Sequence, residues 1–283
     1  MRTAVCGLGR MGAAFAAALA AAGDVPAVWN RTPRAPGILA VPAATPAAAA
    51  AGADAIVVAV FDGPAAEAVL LGPDGVAEGA RPGALVINAT TLAPDESREL
   101  AARVTGAGLR YAEAPVIGSV PAARAGTLTV LTGGAEADVR DAEPVLTAWS
   151  HAGTRRHAGP VGAASALKLV ANLGLGAAVA ALHDAVRLGE ALGVARADVL
   201  DVLQGGVTGP LVAAKRPRLD RDDPDAYAAA DFTVAALAKD LALAVSAAGT
   251  PLPAADAAYR LIAGFAARDG GGTVDISALG RGG

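Results

Sequence analysis

Thr3-Ala4-Val5-Cys6-Gly7-Leu8-Gly9-Arg10-Met11-Gly12, followed by ten residues that are all Ala, Leu or Phe, is the stretch from which the fold is read. A short apolar run enters a Gly-x-Gly-x-x-Gly loop, and residues 11–22 then have helical composition. The chain carries 35 glycines in 283 residues, so this pattern arises by chance about half a time per chain, and the flanking strand and helix carry the reading. The first glycine allows a tight turn, the second lets a pyrophosphate approach the backbone, and the third lets the helix pack close to the strand. The N-terminus of that helix then faces the phosphates. Gly7, Leu8, Gly9, Arg10, Met11 and Gly12 are therefore expected to bind a dinucleotide.

The next apolar run, residues 25–30, ends in Asn30-Arg31-Thr32. NAD enzymes of this design carry an acid here for the ribose hydroxyls. This chain offers no carboxylate to repel a 2′-phosphate, while Arg31 and Thr32 can hydrogen-bond one, so NADPH is expected in preference to NADH. Further strands are expected at 55–60, 85–88, 109–113 and 127–132, and helices at 44–53, 64–71, 94–105 and 136–149. Segment 33–42, broken by Pro36 and Gly37, predicts a truncated helix. Apolar runs without strict alternation suit parallel strands covered on both faces, and strand–helix alternation predicts a doubly wound α/β domain.

Beyond about residue 158 the β signals stop. Residues 159–192 read as one helix of about thirty residues, about 45 Å long at 1.5 Å per residue. Helices at 196–203, 232–248 and 253–268 follow, with a charged, Pro-containing loop at 216–225. The glycines at 270–272 and 282–283 mark a loop and a loose C-terminus. The expected fold is a Rossmann-type NADP-binding domain, residues 1–158, then an all-α substrate and dimerisation domain, residues 159–283, joined by the long helix. On that helix Lys168 and Asn172 stand four apart, on one side, among Leu167, Leu169, Val170, Ala171 and Leu173. Such surroundings place them in a cleft rather than in bulk water.

Composition narrows the class. The chain is 54% hydrophobic but 3% aromatic, so its small core residues bury little area each and many closely packed helices are expected. A net charge of −4 gives no basic footprint for nucleic acid or an anionic membrane. Cys6 is the single cysteine, which excludes an intramolecular disulfide and a Cys cluster; it reads as a small buried hydrophobe. His151, His157 and His183 lack ligand spacing, and no metal is expected. Arg2 with residues 13–22 superficially resembles a signal peptide, but the intervening glycines break it. Lys168 and Asn172 interrupt the apolar run 163–182. The reading is a soluble, cytoplasmic protein acting on a small molecule.

Five blocks spread over nearly the whole chain carry a resemblance to a known family. They are Gly7-Leu-Gly-Arg-Met-Gly12; Asn88-Ala-Thr-Thr91-Leu-Ala-Pro94; Ala114-Pro-Val-Ile117-Gly118-Ser119 running to Gly126-Thr-Leu128; residues 159–172; and residues 232–243 with Lys239-Asp240-Leu241. Asp275-Ile-Ser-Ala-Leu279 adds to them. In order and spacing the chain resembles the β-hydroxyacid dehydrogenases, which include 3-hydroxyisobutyrate dehydrogenases and glyoxylate/succinic semialdehyde reductases. The resemblance implies that Lys168 is the catalytic lysine and Asn172 its substrate-binding partner. It implies that Gly118 and Ser119 bind a substrate carboxylate, that Thr91 lies near the nicotinamide ribose, and that Lys239 reaches the cofactor from the helical domain. A helical domain like that of 6-phosphogluconate dehydrogenase and a homodimer built on the long helix are further implications.

Two departures stand out. Ile117 replaces a common Ser, removing a polar contact to the substrate, and Ala171 precedes Asn172 where several relatives have a second Asn. The implied activity is hydride transfer between NADPH and a small aldehyde-acid or its hydroxy acid, with Lys168 as general acid/base. Imine reductases share the architecture and the Asn-Arg-Thr turn but typically lack the lysine; a non-catalytic NADP-binding module is a third reading. The retained Lys168 favours carbonyl chemistry. For Lys239 the plain alternative is an ion pair with Asp240 or Asp231. Glu113, Arg124, His183 and Asp184 lie near these blocks with no role assigned; Arg124 reads as a surface residue.

Overall fold

A computed structural model describes every residue except Ala35, Pro36, Asp222, Gly282 and Gly283. The expectations placed on Pro36 and on the last two glycines lie outside the described residues. The chain forms two compact units, Met1–Lys168 and Leu169–Gly283.

In chain order the first unit contains β1 (Thr3–Cys6), α1 (Arg10–Ala21), β2 (Ala27–Trp29), β3 (Val41–Pro42), α2 (Pro46–Ala50), β4 (Ala55–Val58), α3 (Gly63–Leu71) and α4 (Val76–Gly79). It continues with β5 (Leu85–Asn88), α5 (Pro94–Gly106), β6 (Arg110–Glu113), β7 (Val116–Ile117), α6 (Val120–Arg124), β8 (Thr129–Gly134), α7 (Glu136–Leu146) and β9 (Arg155–Gly159). All strands join one sheet in the order β3-β2-β1-β4-β5-β6-β8-β7, with β9 paired to β8. Strands β1 to β6 run parallel, β8 is antiparallel to β6 and β7, and β9 is parallel to β8. After β1 the chain winds outward through β2 and β3, then returns to β4 on the other side of β1. That reversal is the switch point at which open α/β sheets bind ligands.

The two-residue period of the strands sorts their side chains onto two cores. Val5, Val57 and Ile87 pack with Phe15, Leu19 and Trp149 on one face, while Cys6, Ile56, Val58 and Val86 pack with Leu70, Leu100 and Val104 on the other. Phe15 and Trp149 lie with ring centroids 4.5 Å apart. Each fully buried Val, Leu, Ile or Phe contributes about 1.5–3 kcal/mol. Cys6 is the small core residue read from the sequence, and burial pushes its thiol up to about 12.

Some elements differ from expectation. No helix forms at 33–42 among the described residues; β3 pairs with β2 there instead. β3 and β7 are two residues long, too short to show a period, and β9 reads Arg-Arg-His-Ala-Gly, without β-type composition. The strand expected at 127–132 starts at Thr129 and reaches Gly134, and the helix expected at 136–149 ends at Leu146.

The second unit is helical. The long helix α8 (Ala163–Ala191) runs into it, followed by α9 (Arg196–Gln204), α10 (Gly209–Leu219), α11 (Val234–Ala247) and α12 (Pro253–Ala266). Small residues let these helices approach closely: a Cβ on Gly176 would lie 2.7 Å from the Leu241 methyl groups. Val179, Leu237, Leu241 and Ile262 form one core, and Leu182, Val186, Leu200 and Val212 a second. By length and composition alone α8 is apolar enough to cross a membrane, yet it buries both Lys168 and Asn172. The loop expected at 216–225 is corrected. Residues 216–219 complete α10, and Pro224–Tyr227 form a 3₁₀ turn. Three of the charges that suggest a loop there are paired: Arg216 with Asp201 and Asp220, and Arg218 with Asp231. Pro217 stands inside the last turn of α10 and gives up one backbone donor there.

Candidate active site

The glycine loop leaves β1 at the switch point, and its three glycines face three different surroundings. At Gly7, φ is +99° and a Cβ would stand 2.3 Å from the Ala59 carbonyl oxygen. At Gly12 a Cβ would stand 1.9 Å from the Gly7 carbonyl oxygen. At Gly9 it would meet nothing within 4 Å. Packing therefore demands the first and third glycines, while the second keeps an open face over the start of α1. Gly9 caps α1 with no side-chain hydrogen bond. That is the arrangement a phosphate group requires at a helix N-terminus.

The turn after β2 is braced against this loop. Asn30 Oδ1 accepts from Leu8 N at 2.8 Å, Asn30 Nδ2 donates to the Thr32 carbonyl at 2.8 Å, and Arg34 donates to the Leu8 carbonyl at 3.2 Å. Arg31 and Thr32 remain exposed. With Gly7, Gly9, Trp29 and Asn30 they line a cleft of about 500 Å³. The acid on this lining, Asp62, accepts from Ala65 N at 2.9 Å as the N-cap of α3. Backbone amides, a guanidinium and a hydroxyl on this lining fit the phosphates and ribose of a dinucleotide. Of the expected cofactor residues, Gly7, Gly9, Asn30, Arg31 and Thr32 line this cleft, and Leu8 is tied to it through Asn30.

Thr91 follows β5 and is half-buried; its neighbour Thr90 accepts from Val60 N at 3.2 Å, tying the ends of β4 and β5 together. Gly118 has φ +117°, and a Cβ there would lie 2.7 Å from Leu128 Cδ2, so only glycine fits. Ser119 starts α6 without using its hydroxyl as a cap. Ile117 is exposed beside them, and Arg124 is exposed at the end of α6.

Lys168 is 9% exposed and Asn172 4%, one turn apart on α8. The Asn172 amide donates to Asp240, a buried acid on α11. Lys239 also binds Asp240, at 2.6 Å, so the plain ion-pair alternative for Lys239 is present. His183 Nδ1 hydrogen-bonds the Leu279 carbonyl at 2.7 Å, and Asp184 is exposed.

Two buried acids stand out: Asp240, expected only as an ion-pair partner of Lys239, and Glu113, to which the sequence assigns no role. Asp240 shares the buried stripe of Leu237, Leu241 and Ala244; an acid at a core position of an amphipathic helix was a legible signal. Glu113 is buried at the end of β6. It accepts from Ser97 Oγ at 2.7 Å, from Gly162 N at 2.8 Å, from Ala164 N at 3.3 Å and from Ser165 Oγ. Ser97 in turn meets the Tyr111 hydroxyl, which accepts from Asn88 Nδ2 at 2.8 Å. Burial, reinforced by the charge of Glu113, pushes Tyr111 up to about 12 against the opposing hydrogen bonds of Ser97 and Asn88.

Comparison with known proteins accounts for both units. Residues 2–159 match the family described as the NAD binding domain of 6-phosphogluconate dehydrogenase, and residues 162–281 the one described as NAD-binding of NADP-dependent 3-hydroxyisobutyrate dehydrogenase. An uncharacterized oxidoreductase of Synechocystis sp. is 35% identical over 260 residues, 89% of this chain and 88% of that one. The 2-(hydroxymethyl)glutarate dehydrogenase of Eubacterium barkeri is 30% identical over 233 residues, 81% of this chain and 76% of that one. The structure of Mycobacterium tuberculosis 3-hydroxyisobutyrate dehydrogenase with L-serine superposes with a TM-score of 0.81 at 29% identity, covering 99% of this chain and 98% of that one. With a glycine cradle at the switch point, a helical second unit and relatives along nearly its whole length, this chain belongs to the 3-hydroxyisobutyrate dehydrogenase-like β-hydroxyacid dehydrogenases, a family of NAD(P)-dependent oxidoreductases.

Proposed function

We propose that the protein reduces a small aldehyde-acid with NADPH, or oxidises the matching hydroxy acid, with Lys168 as the general acid/base. The observation that carries this reading is Lys168 itself, an amine held 9% exposed inside an apolar helix, one turn from an asparagine fixed by Asp240. Residues 1–158 hold the cofactor and residues 159–283 form the substrate and dimerisation domain. When bound, NADPH supplies the hydride to the carbonyl carbon. Negative charge then develops on the carbonyl oxygen, and the Lys168 ammonium stabilises it by hydrogen bonding and gives up a proton to it. In the oxidative direction neutral Lys168 takes that proton from the alcohol. In this reading Asn172, whose amide nitrogen donates to Asp240, is the substrate-binding partner of Lys168.

Gly118 and Ser119 offer a backbone N–H and a hydroxyl to the substrate carboxylate. Thr91 lies toward the nicotinamide ribose, Lys239 reaches the cofactor from the helical domain, and Arg31 with Thr32 favours the 2′-phosphate. The support for the last is the cleft lined by these two residues, whose acid already serves as a helix cap. We propose a homodimer, supported by exposed apolar residues along α8, among them Val170 (68% exposed) and Leu188 (60%); a concentration-independent monomer mass by light scattering overturns it.

The central test is a panel of glyoxylate, semialdehydes, 3-hydroxy acids and cyclic imines with both cofactors, run on wild type and Lys168 variants. Lys168→Ala is expected to keep NADPH binding and to lose about 10²–10⁴ in carbonyl turnover, the range for removing a positioned acid. Lys168→Arg is expected to be nearly as poor, because a guanidinium does not readily release its proton. Near-normal carbonyl reduction by Lys168→Ala overturns the mechanism. Imine turnover that exceeds carbonyl turnover and survives the substitution reassigns the enzyme to imines.

A further inference from the structure

We infer that Glu113 is a positioning residue for Lys168: its carboxylate pins the first turn of α8 to the sheet and so sets where the lysine stands. This rests on the reading of Lys168 as the acid. The first-turn backbone N–H groups of Gly162 and Ala164 converge on one carboxylate oxygen, and the hydroxyls of Ser97 and Ser165 on the other. Ser165 and Lys168 are three residues apart on α8, so they share a face. A carboxylate removed from water is costly unless its lone pairs are hydrogen-bonded, and here four donors from two separate segments, α5 and the start of α8, meet it.

The surroundings are shaped for this group. A Cβ on Gly133 in β8 would lie 2.2 Å from Glu113 Oε2, so glycine leaves the room the carboxylate occupies. Gly162 enters the helix at φ +95°, a conformation other residues rarely take. From Glu113 a continuous path of hydrogen bonds runs through Ser97, Tyr111, Asn88 and Thr90 to Val60 N. Ser97 gives its proton to Glu113 and can only accept from Tyr111, so the order of donors along the path is fixed. It links the helix bearing Lys168 to the end of β5 next to Thr91 and to the end of β4. One network thereby ties the start of α8 to the ends of β4 and β5, and a misplacement of about 1 Å in a reacting group costs on the order of 10²-fold.

The experiment measures turnover per NADPH-binding site on the fastest carbonyl substrate of the panel, for Glu113→Ala, Glu113→Gln and, beside them, Lys168→Ala. Glu113→Ala is expected to lose about 10- to 100-fold in kcat, with NADPH affinity within about twofold, because the lysine shifts while the glycine loop does not. Glu113→Gln is expected to return to within about fivefold of wild type, since an amide oxygen still accepts from the two N–H groups and the two hydroxyls can turn to accept from its nitrogen. A merely structural role lowers the melting temperature and the number of binding sites but leaves turnover per site unchanged. Unchanged kcat per site in Glu113→Ala, or a Gln variant no better than the Ala one, overturns the inference while the reading of Lys168 stands. Normal turnover in Lys168→Ala removes that reading first. If Glu113→Ala does not fold, Ser165→Ala takes its place; a loss of about three- to tenfold in kcat is expected, and none overturns the inference.

Discussion

Glu113 in the first unit and Asp275 in the second are both carboxylates cut off from water, and their partners differ in kind. Glu113 meets two hydroxyls and two backbone N–H groups. Asp275 meets the Lys215 ammonium at 3.0 Å, together with Ser277 N, Ser277 Oγ and the backbone N–H groups of Asp231 and Phe232. Asp240, also in the second unit, takes Lys239 as well as Asn172. Neutral donors fix direction, which suits a group that must hold a helix in register. An ion pair holds two segments together but must stay complete, because either half alone is a desolvated charge. The Glu113 cluster therefore depends on the direction of neutral donors, the Asp275 cluster on a counter-charge.

The largest expected effect tests the ionic half. Asp275→Asn leaves Lys215 buried without its counter-charge and is expected to cost about 3–5 kcal/mol of stability in chemical denaturation. Adding Lys215→Met to Asp275→Asn is expected to recover most of that loss. A single-variant loss below about 1 kcal/mol would break the contrast, since it would make the pair dispensable. Next in size, Arg31→Ala sharpens the other side. It removes a charge-assisted hydrogen bond of about 1.5–3 kcal/mol, so NADPH affinity is expected to fall about 10- to 100-fold. NADH affinity and the melting temperature are expected to hold, because Arg31 is exposed and no core group leans on it. Equal affinity of the wild type for NADPH and NADH by titration would remove the basis for this prediction.

The smallest effect is in pH. Burial pushes the Asp275 carboxyl up, but the Lys215 charge and the Ser277 hydrogen bonds outweigh it and hold the group below its ordinary 3.8. A carboxyl lowered by folding contributes stability that is fully present above the unfolded value and is lost as pH falls through the folded one. The stability gap between wild type and Asp275→Asn is therefore expected to be constant from neutral pH to about 4 and to narrow below it. A gap that stays open well below that range would show that Lys215 does not act through its charge.

What the sequence revealed and what it concealed divide along the same line. β1, β4 and β5 are legible because every residue in them is covered on one face or the other, leaving an unbroken apolar run. The glycine loop is legible because Gly12 is demanded by the Gly7 carbonyl only five residues away and Gly7 by its own φ of +99°, and α8 because nothing interrupts it. The charged end of α10 was misread as a loop because its partners, Asp201 and Asp231, lie in other segments and local composition does not announce them. Glu113 finds Gly162 49 residues further along, and Asn172 finds Asp240 across 68. A residue's place in a site was readable when its neighbours were local, and its partner was hidden when the fold supplied it.

The placement of the two tryptophans has a practical side. Trp29 lines the nucleotide cleft, while Trp149 is sealed in the core against the ring of Phe15. They are the only tryptophans in the chain, and only one of them shares space with a ligand in that cleft. Intrinsic fluorescence therefore separates into two channels, one reporting occupancy and one reporting unfolding, and a Trp149→Phe variant isolates the first. The protein comes already labelled for the titrations that its own cofactor assignment calls for.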